Sequence, residues 1–170
     1  MGMSVDSLKN NLSNPARVYL WDIVIPNPKG GGDSNAMELR CQSTSIPSKG
    51  VGKINLPYKA TAGIKFPGKI TMPQAWDCTF VEGLDKKIFS ALNGWSQAVS
   101  NSRTGIGLPD ALLKSDIYLR CLKSDGTSWL KIKLVGCYVE NVAEVPLPYD
   151  TEALLMFTCT FSYDYWEEVN

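Results

Sequence analysis

The last quarter of the chain sets the strongest limit on what it can fold into. Residues 152–165 alternate: Ala153, Leu155, Phe157, Cys159, Phe161 and Tyr163 fall on one side, while Thr158, Thr160, Ser162 and Asp164 dominate the other. A period of two places successive side chains on opposite faces of an extended strand, one toward a core and one toward something polar. A helix cannot satisfy that pattern. Related signals recur upstream. Residues 18–25 (Val-Tyr-Leu-Trp-Asp-Ile-Val-Ile) are β-branched and aromatic and stop at Pro26, which predicts a strand. Over 37–46, Met37, Leu39 and Cys41 oppose Glu38, Arg40 and Gln42, which predicts another with one wet side. Residues 76–81 continue the theme. Segments 116–122 and 128–139 flank Asp125-Gly126, a tight-turn signal, with Leu130, Ile132 and Leu134 facing away from Lys131 and Lys133.

One stretch breaks the β pattern. Leu84, Ile88, Leu92, Trp95 and Val99 recur at helical spacing, so 84–99 is expected to be a helix with one apolar stripe. Leu92 and Trp95 are expected to pack it on a sheet. The glycines of 29–35 and 101–109 predict loops. Together these give a mainly β chain: an antiparallel β-sandwich or partial barrel of six to seven strands with one flanking α-helix. At 170 residues this is one domain, 1–170, with 1–16 as an N-terminal arm.

Residues 47–73 have a different character. Pro47, Gly50, Gly52, Pro57, Gly63, Pro67, Gly68 and Pro73 punctuate short apolar stretches, and so long a connection is seldom kept without a purpose. Segments 54–58 and 63–66 are expected to pair as a projecting hairpin with its turn near 60–62. Lone hairpins are marginal in water, so this one needs something to lean on.

Composition removes several function classes. There is no histidine, hence no common general base, no usual partner for a Ser or Cys nucleophile and no commonest metal ligand. The five cysteines, Cys41, Cys78, Cys121, Cys137 and Cys159, never approach C-x-x-C spacing, which argues against zinc; an odd number argues against a disulfide framework. They read mostly as buried core thiols, with cross-linking between subunits as a further possibility. No cofactor is expected. No apolar run suits a bilayer span and 1–14 does not resemble a signal peptide, so neither membrane insertion nor export is expected. Seventeen basic residues offset seventeen acidic ones, giving no net attraction for nucleic acid.

That zero conceals two blocks. Between Glu38 and Asp77 there is no acid, while Arg40, Lys49, Lys53, Lys59, Lys65 and Lys69 are cationic. From Leu134 onward there is no Lys or Arg, while Glu140, Glu144, Asp150, Glu152, Asp164, Glu167 and Glu168 are anionic. The expectation is that the basic excursion of one subunit reaches acids of another and fixes register. Exposed ion pairs contribute only about 0–1 kcal/mol each, so Ile54, Leu56, Tyr58, Ile64 and Phe66 are expected to carry most of the contact. Pairing of the two blocks within one chain, or their solvation, is the plainer alternative.

The order of features resembles the tail tube protein of contractile-tailed bacteriophages. The likeness runs from the Trp21-Asp22-Ile23-Val24-Ile25 strand through the 37–47 segment and the excursion closing on Phe66-Pro67-Gly68-Lys69-Ile70. It continues through Trp76-Asp77, Phe89 to Trp95, Gly136-Cys137-Tyr138-Val139 and the terminal Phe161-Ser162-Tyr163-Asp164-Tyr165-Trp166. It covers about 17–167 as a pattern, without one diagnostic motif; Gly30-Gly31-Gly32 and the cysteines do not belong to it. The resemblance implies six copies in a ring and rings stacked into a tube inside a contractile sheath. It further implies sheath, baseplate and tail-terminator partners, DNA passing through the lumen without specific binding, and assembly in the host cytoplasm into a virion tail. Six protomers giving about four strands each would close a barrel of about 24, past the size that side chains can fill. Such a lumen should not be strongly basic. Tube proteins of type VI-like and other contractile injection systems, and the terminator or initiator positions of a tube, share the pattern. Outside the assembly class, a small-ligand-binding β-barrel or a two-carboxylate glycosidase are the rivals, although no acidic pair stands out.

Overall fold

A computed structural model describes residues 4–12, 14–59 and 61–169. The elements are α1 (Val5–Asn11), β1 (Trp21–Val24), α2 (Ser34–Arg40), β2 (Cys41–Ser43), β3 (Gly50–Tyr58), β4 (Thr61–Thr71), β5 (Ala75–Val81), α3 (Lys87–Val99), α4 (Asp110–Leu113), β6 (Ser115–Leu122), β7 (Ser128–Val142), β8 (Met156–Ser162) and β9 (Tyr165–Glu168). Seven strands form one antiparallel sheet in the order β1-β6-β7-β8-β5-β2, with β9 added to β7, and β3 and β4 pair apart from it. β7 explains the curl. Its first half lies between β6 and β9, and its second half pairs with β8. The change of partner falls at Gly136, whose φ of +69° is left-handed and costs other residues strain.

The curled sheet wraps α3. Its stripe, Ile88, Leu92 and Trp95, is fully buried against Trp76, Phe80, Ile117, Leu134, Cys159 and Phe161. Trp95 stacks edge-on to Phe161 at 5.6 Å, and its indole N–H donates to the Leu113 carbonyl at 3.0 Å. That bond satisfies the single polar side-chain atom of one of the two largest core residues. The start of α3 is capped from outside. The Glu82 carboxylate accepts from the backbone N–H groups of Ile88 (3.3 Å) and Phe89 (2.6 Å), offsetting the orphan donors of a first turn. The 3₁₀ turn Lys29–Gly31 lies on the same helix; a Cβ at Gly30 would overlap the Gly94 backbone, so this triple-glycine segment is a close contact.

Several expectations need correction. The expected 37–46 strand is a helix up to Arg40, followed by only three residues of β2. Asp33 caps it by accepting from Ala36 N–H at 3.2 Å, and Ala, Met, Glu, Leu and Arg all favour helix. Met37 is therefore buried while Leu39, two residues on, is 76% exposed. The expected 84–99 helix begins at Lys87: Lys86 is left-handed (φ +54°) and Leu84 is fully exposed, off the stripe. The 18–25 strand begins at Trp21, leaving Val18 and Tyr19 in an exposed turn. The terminal alternation splits. Residues 152–155 lie outside the strand because β5 ends at Val81, opposite Met156, with one further backbone bond from Glu82 N–H to the Leu155 carbonyl (2.9 Å), and a bend at Asp164 separates β8 from β9. Helices α1 and α4 were not foreseen. Of the N-terminal arm, residues 1–3 and 13 lie outside the described residues, as does residue 60 of the expected 60–62 turn.

Candidate interaction surfaces

The β3–β4 hairpin stands out from the half-barrel. Ile54 pairs with Phe66 and Leu56 with Ile64, so one face is apolar; Asn55 opposite Lys65, and Lys53 opposite Pro67, form the other. Ile54, Leu56, Ile64 and Phe66 are 58%, 53%, 55% and 49% exposed. A ribbon that leaves its apolar face in water is incomplete by itself. Lys59, in the turn with φ +47°, holds its ammonium 5.6 Å from the Tyr58 ring centroid. The root of the hairpin is clamped to the sheet. The Trp76 indole N–H donates to the Ser45 carbonyl (2.6 Å), that of Trp166 to the Ser48 carbonyl (3.2 Å), and Thr44 Oγ1 to the Asp77 carbonyl (3.1 Å). Three bonds to the sheet thus aim a free-standing ribbon.

The charged residues expected at subunit contacts are all on the surface. Lys49, Lys53, Lys59, Lys65 and Lys69 lie on or beside the hairpin; Glu140, Glu144, Asp150 and Glu152 lie at the end of β7 and in the following loop. Among the described residues, no ion pair within 4.0 Å joins the two sets. Arg40, counted with the basic block, is used internally. Its guanidinium grips Asp85 at 2.8 and 2.6 Å, which holds that carboxyl down at about 2.

The outward face of the curled sheet differs between its two halves. Across β1, β6 and β7 run Asp22–Arg120 (2.7 Å) and Asp116–Lys133 (2.9 Å) ion pairs, with Lys131 over the Tyr118 ring at 4.9 Å. Across β5 and β8 the polar side is hydroxyl-rich. Thr79 and Thr158 bond at 3.1 Å, Thr160 donates to Asp77 at 2.6 Å, and neither strand contains Lys or Arg. The sequence gives no warning of a third surface, an apolar groove between the open borders of the half-barrel, lined by Trp21, Ile46, Leu119, Cys121 and Trp129. Val18, Leu20 and Ile46 of its lining sit in segments that read as strand, which hid it. Among the described residues no group of three or more His, Cys, Asp or Glu is placed to hold a metal ion, and no helix is long and apolar enough to cross a membrane.

An aimed, apolar, unsupported ribbon on a half-closed barrel defines a class of protein, the subunit of a larger β assembly. Residues 18–169 match the family model described as phage tail tube protein, so the chain belongs to the phage tail tube family and is a structural subunit of a tail. Comparison with curated proteins finds no match. The fold is similar to several solved structures. A chain in the sheath/tube terminator of the extracellular contractile injection system PVC aligns with a TM-score of 0.70 at 13% identity, covering 92% of this chain and 98% of that one. One in the PVC sheath-tube complex gives 0.63 at 14%, covering 99% of each, and one in the anti-feeding prophage baseplate gives 0.68 at 10%, covering 92% and 96%.

Proposed function

We propose that the protein forms six-membered rings that stack as the inner tube of a contractile phage tail, and that DNA leaves through the lumen. The observation that carries the ring-and-stack reading is the hairpin, whose Ile54, Leu56, Ile64 and Phe66 stay about half exposed in one chain and would be covered by the adjoining copy. The opposed charge blocks favour the same contact, the lysines of one subunit meeting Glu140, Glu144, Asp150 and Glu152 of another and fixing register more than affinity. The hydroxyl-rich side of β5 and β8 suits the channel wall, since a surface without Lys or Arg does not retain phosphate. The lysine-bearing side of β6 and β7 does not suit it. Sheath, baseplate and terminator proteins are the expected partners, with assembly in the host cytoplasm. The baseplate and terminator neighbours keep a cap or initiator position open as a second reading, because their chains share this fold. Native mass spectrometry of assembled material tests the proposal. Rings six times the mass of the 18.7 kDa chain are expected; a ring of another number refutes the six-fold reading, and strictly capped single rings would favour the terminator position.

A further inference from the structure

We infer that the groove between the borders of the half-barrel receives helix α1 of a neighbouring copy, so that subunits exchange their N-terminal arms. The inference rests on the tube reading only for the presence of that neighbour. Two surfaces carry it, each apolar and each uncovered. The groove has two adjoining lobes of about 340 and 350 Å³ that share Ala16, Arg17, Leu20 and Trp129. One lobe lies where β1 and the segment after β2 face each other at the borders of the sheet; the other adjoins it, between residues 14–17 and the turn from β6 to β7. Trp129, 48% exposed, stands at the junction of the lobes.

Helix α1 has the complementary form. Val5, Leu8 and Leu12 are 68%, 60% and 54% exposed, and their spacing of three and four puts them on one side. None of its residues is buried. Seven residues fall well short of the roughly 12–15 that an isolated helix needs in water. Ser4 caps it, accepting from Ser7 N–H at 3.1 Å, which is local order without tertiary support. A helix so built requires a surface.

The helix of the same chain does not occupy that surface. Asn14, Pro15, Ala16 and Arg17 themselves form part of the groove wall. No residue of α1 lines either lobe and its apolar side stays exposed, so the groove of an adjoining copy is the surface left to cover it. The rim adds Arg17 and Lys123, cations suited to Asp6 in the first turn of the arriving helix.

The test exploits Cys121, which lines the groove. A Leu8→Cys, Cys121→Ser chain is mixed with unsubstituted chain, assembled, and equilibrated with oxidised glutathione. The expected product is a covalent dimer whose linked peptides contain positions 8 and 121, and it disappears when both chains carry Cys121→Ser. Assemblies that form without this dimer overturn the inference and leave the tube reading intact. So does an internal link formed within single chains carrying Leu8→Cys beside Cys121. Failure of the unsubstituted chain to assemble at all overturns both. Independently, Leu8→Asp should raise the concentration needed for assembly about tenfold or more while leaving monomer melting unchanged, because a leucine buried only at the contact contributes on that scale. Unaltered assembly by this variant also refutes the exchange.

Discussion

Replacing Ile54 and Phe66 by serine should separate folding from assembly. The two lie directly opposite each other across β3 and β4, and each leaves about half of its surface in water (58% and 49%). Complete burial of such a side chain contributes about 1.5–3 kcal/mol, so closing the exposed half contributes about 0.8–1.5 kcal/mol each. The pair therefore accounts for about 2–3 kcal/mol of every hairpin contact, or about a 30- to 150-fold change in its equilibrium constant. Sedimentation across a concentration series measures the threshold for assembly, and thermal unfolding of the monomer serves as control. The threshold should rise by at least tenfold, with a melting temperature shifted by a few degrees at most, since the hairpin stands outside the core. An unchanged threshold in a folded variant would refute the claim that this face is the contact.

Charge reversal at Lys53, Lys59 and Lys65 together should stop growth of long assemblies while the monomer stays folded; rods of normal length by electron microscopy would remove the role assigned to the basic block. Alkylation of the folded monomer should modify the partly exposed Cys41 and Cys121 first. Burial pushes the Cys137 thiol up to about 12 and raises those of Cys78 and Cys159 as well, so intact mass should show two adducts until denaturant is added. Five adducts in native buffer would contradict the core described. Arg40 holds the Asp85 carboxyl at about 2, below its ordinary 3.8, so this pair stabilises the fold above about pH 4 and is lost as pH falls toward 2. Arg40→Gln should flatten that part of the urea-midpoint profile; a profile parallel to the unsubstituted protein's would show that the pair contributes nothing.

Much of this architecture was legible where one physical demand acted alone. Phe157, Cys159 and Phe161 had to alternate because β8 lies between two strands with a core on one side, and the Asp125-Gly126 turn joins β6 to β7 as the residues required. The hairpin was foreseen from Gly and Pro punctuation, and its pairing of Ile54 with Phe66 follows from the sequence spacing. Misreadings arose where local and tertiary demands competed. Met37, Leu39 and Cys41 fit a strand, yet a cap at Asp33 and five good helix formers outweigh three alternating positions. Residues 152–155 alternate yet lie outside β8, because pairing depends on how far β5 extends, and the alternation does not encode that. The groove was invisible for a related reason: it is made by the meeting of β1, the segment after β2 and Trp129, which are far apart in the chain.

The account depends on one property, that these subunits complete one another's surfaces. Electron microscopy of the purified, unsubstituted chain over a rising concentration series measures it most directly. Annular particles of uniform diameter that stack into hollow rods are predicted. A protein that remains at its 18.7 kDa monomer mass at the highest concentration, with no annular or rod-like particle, would contradict it.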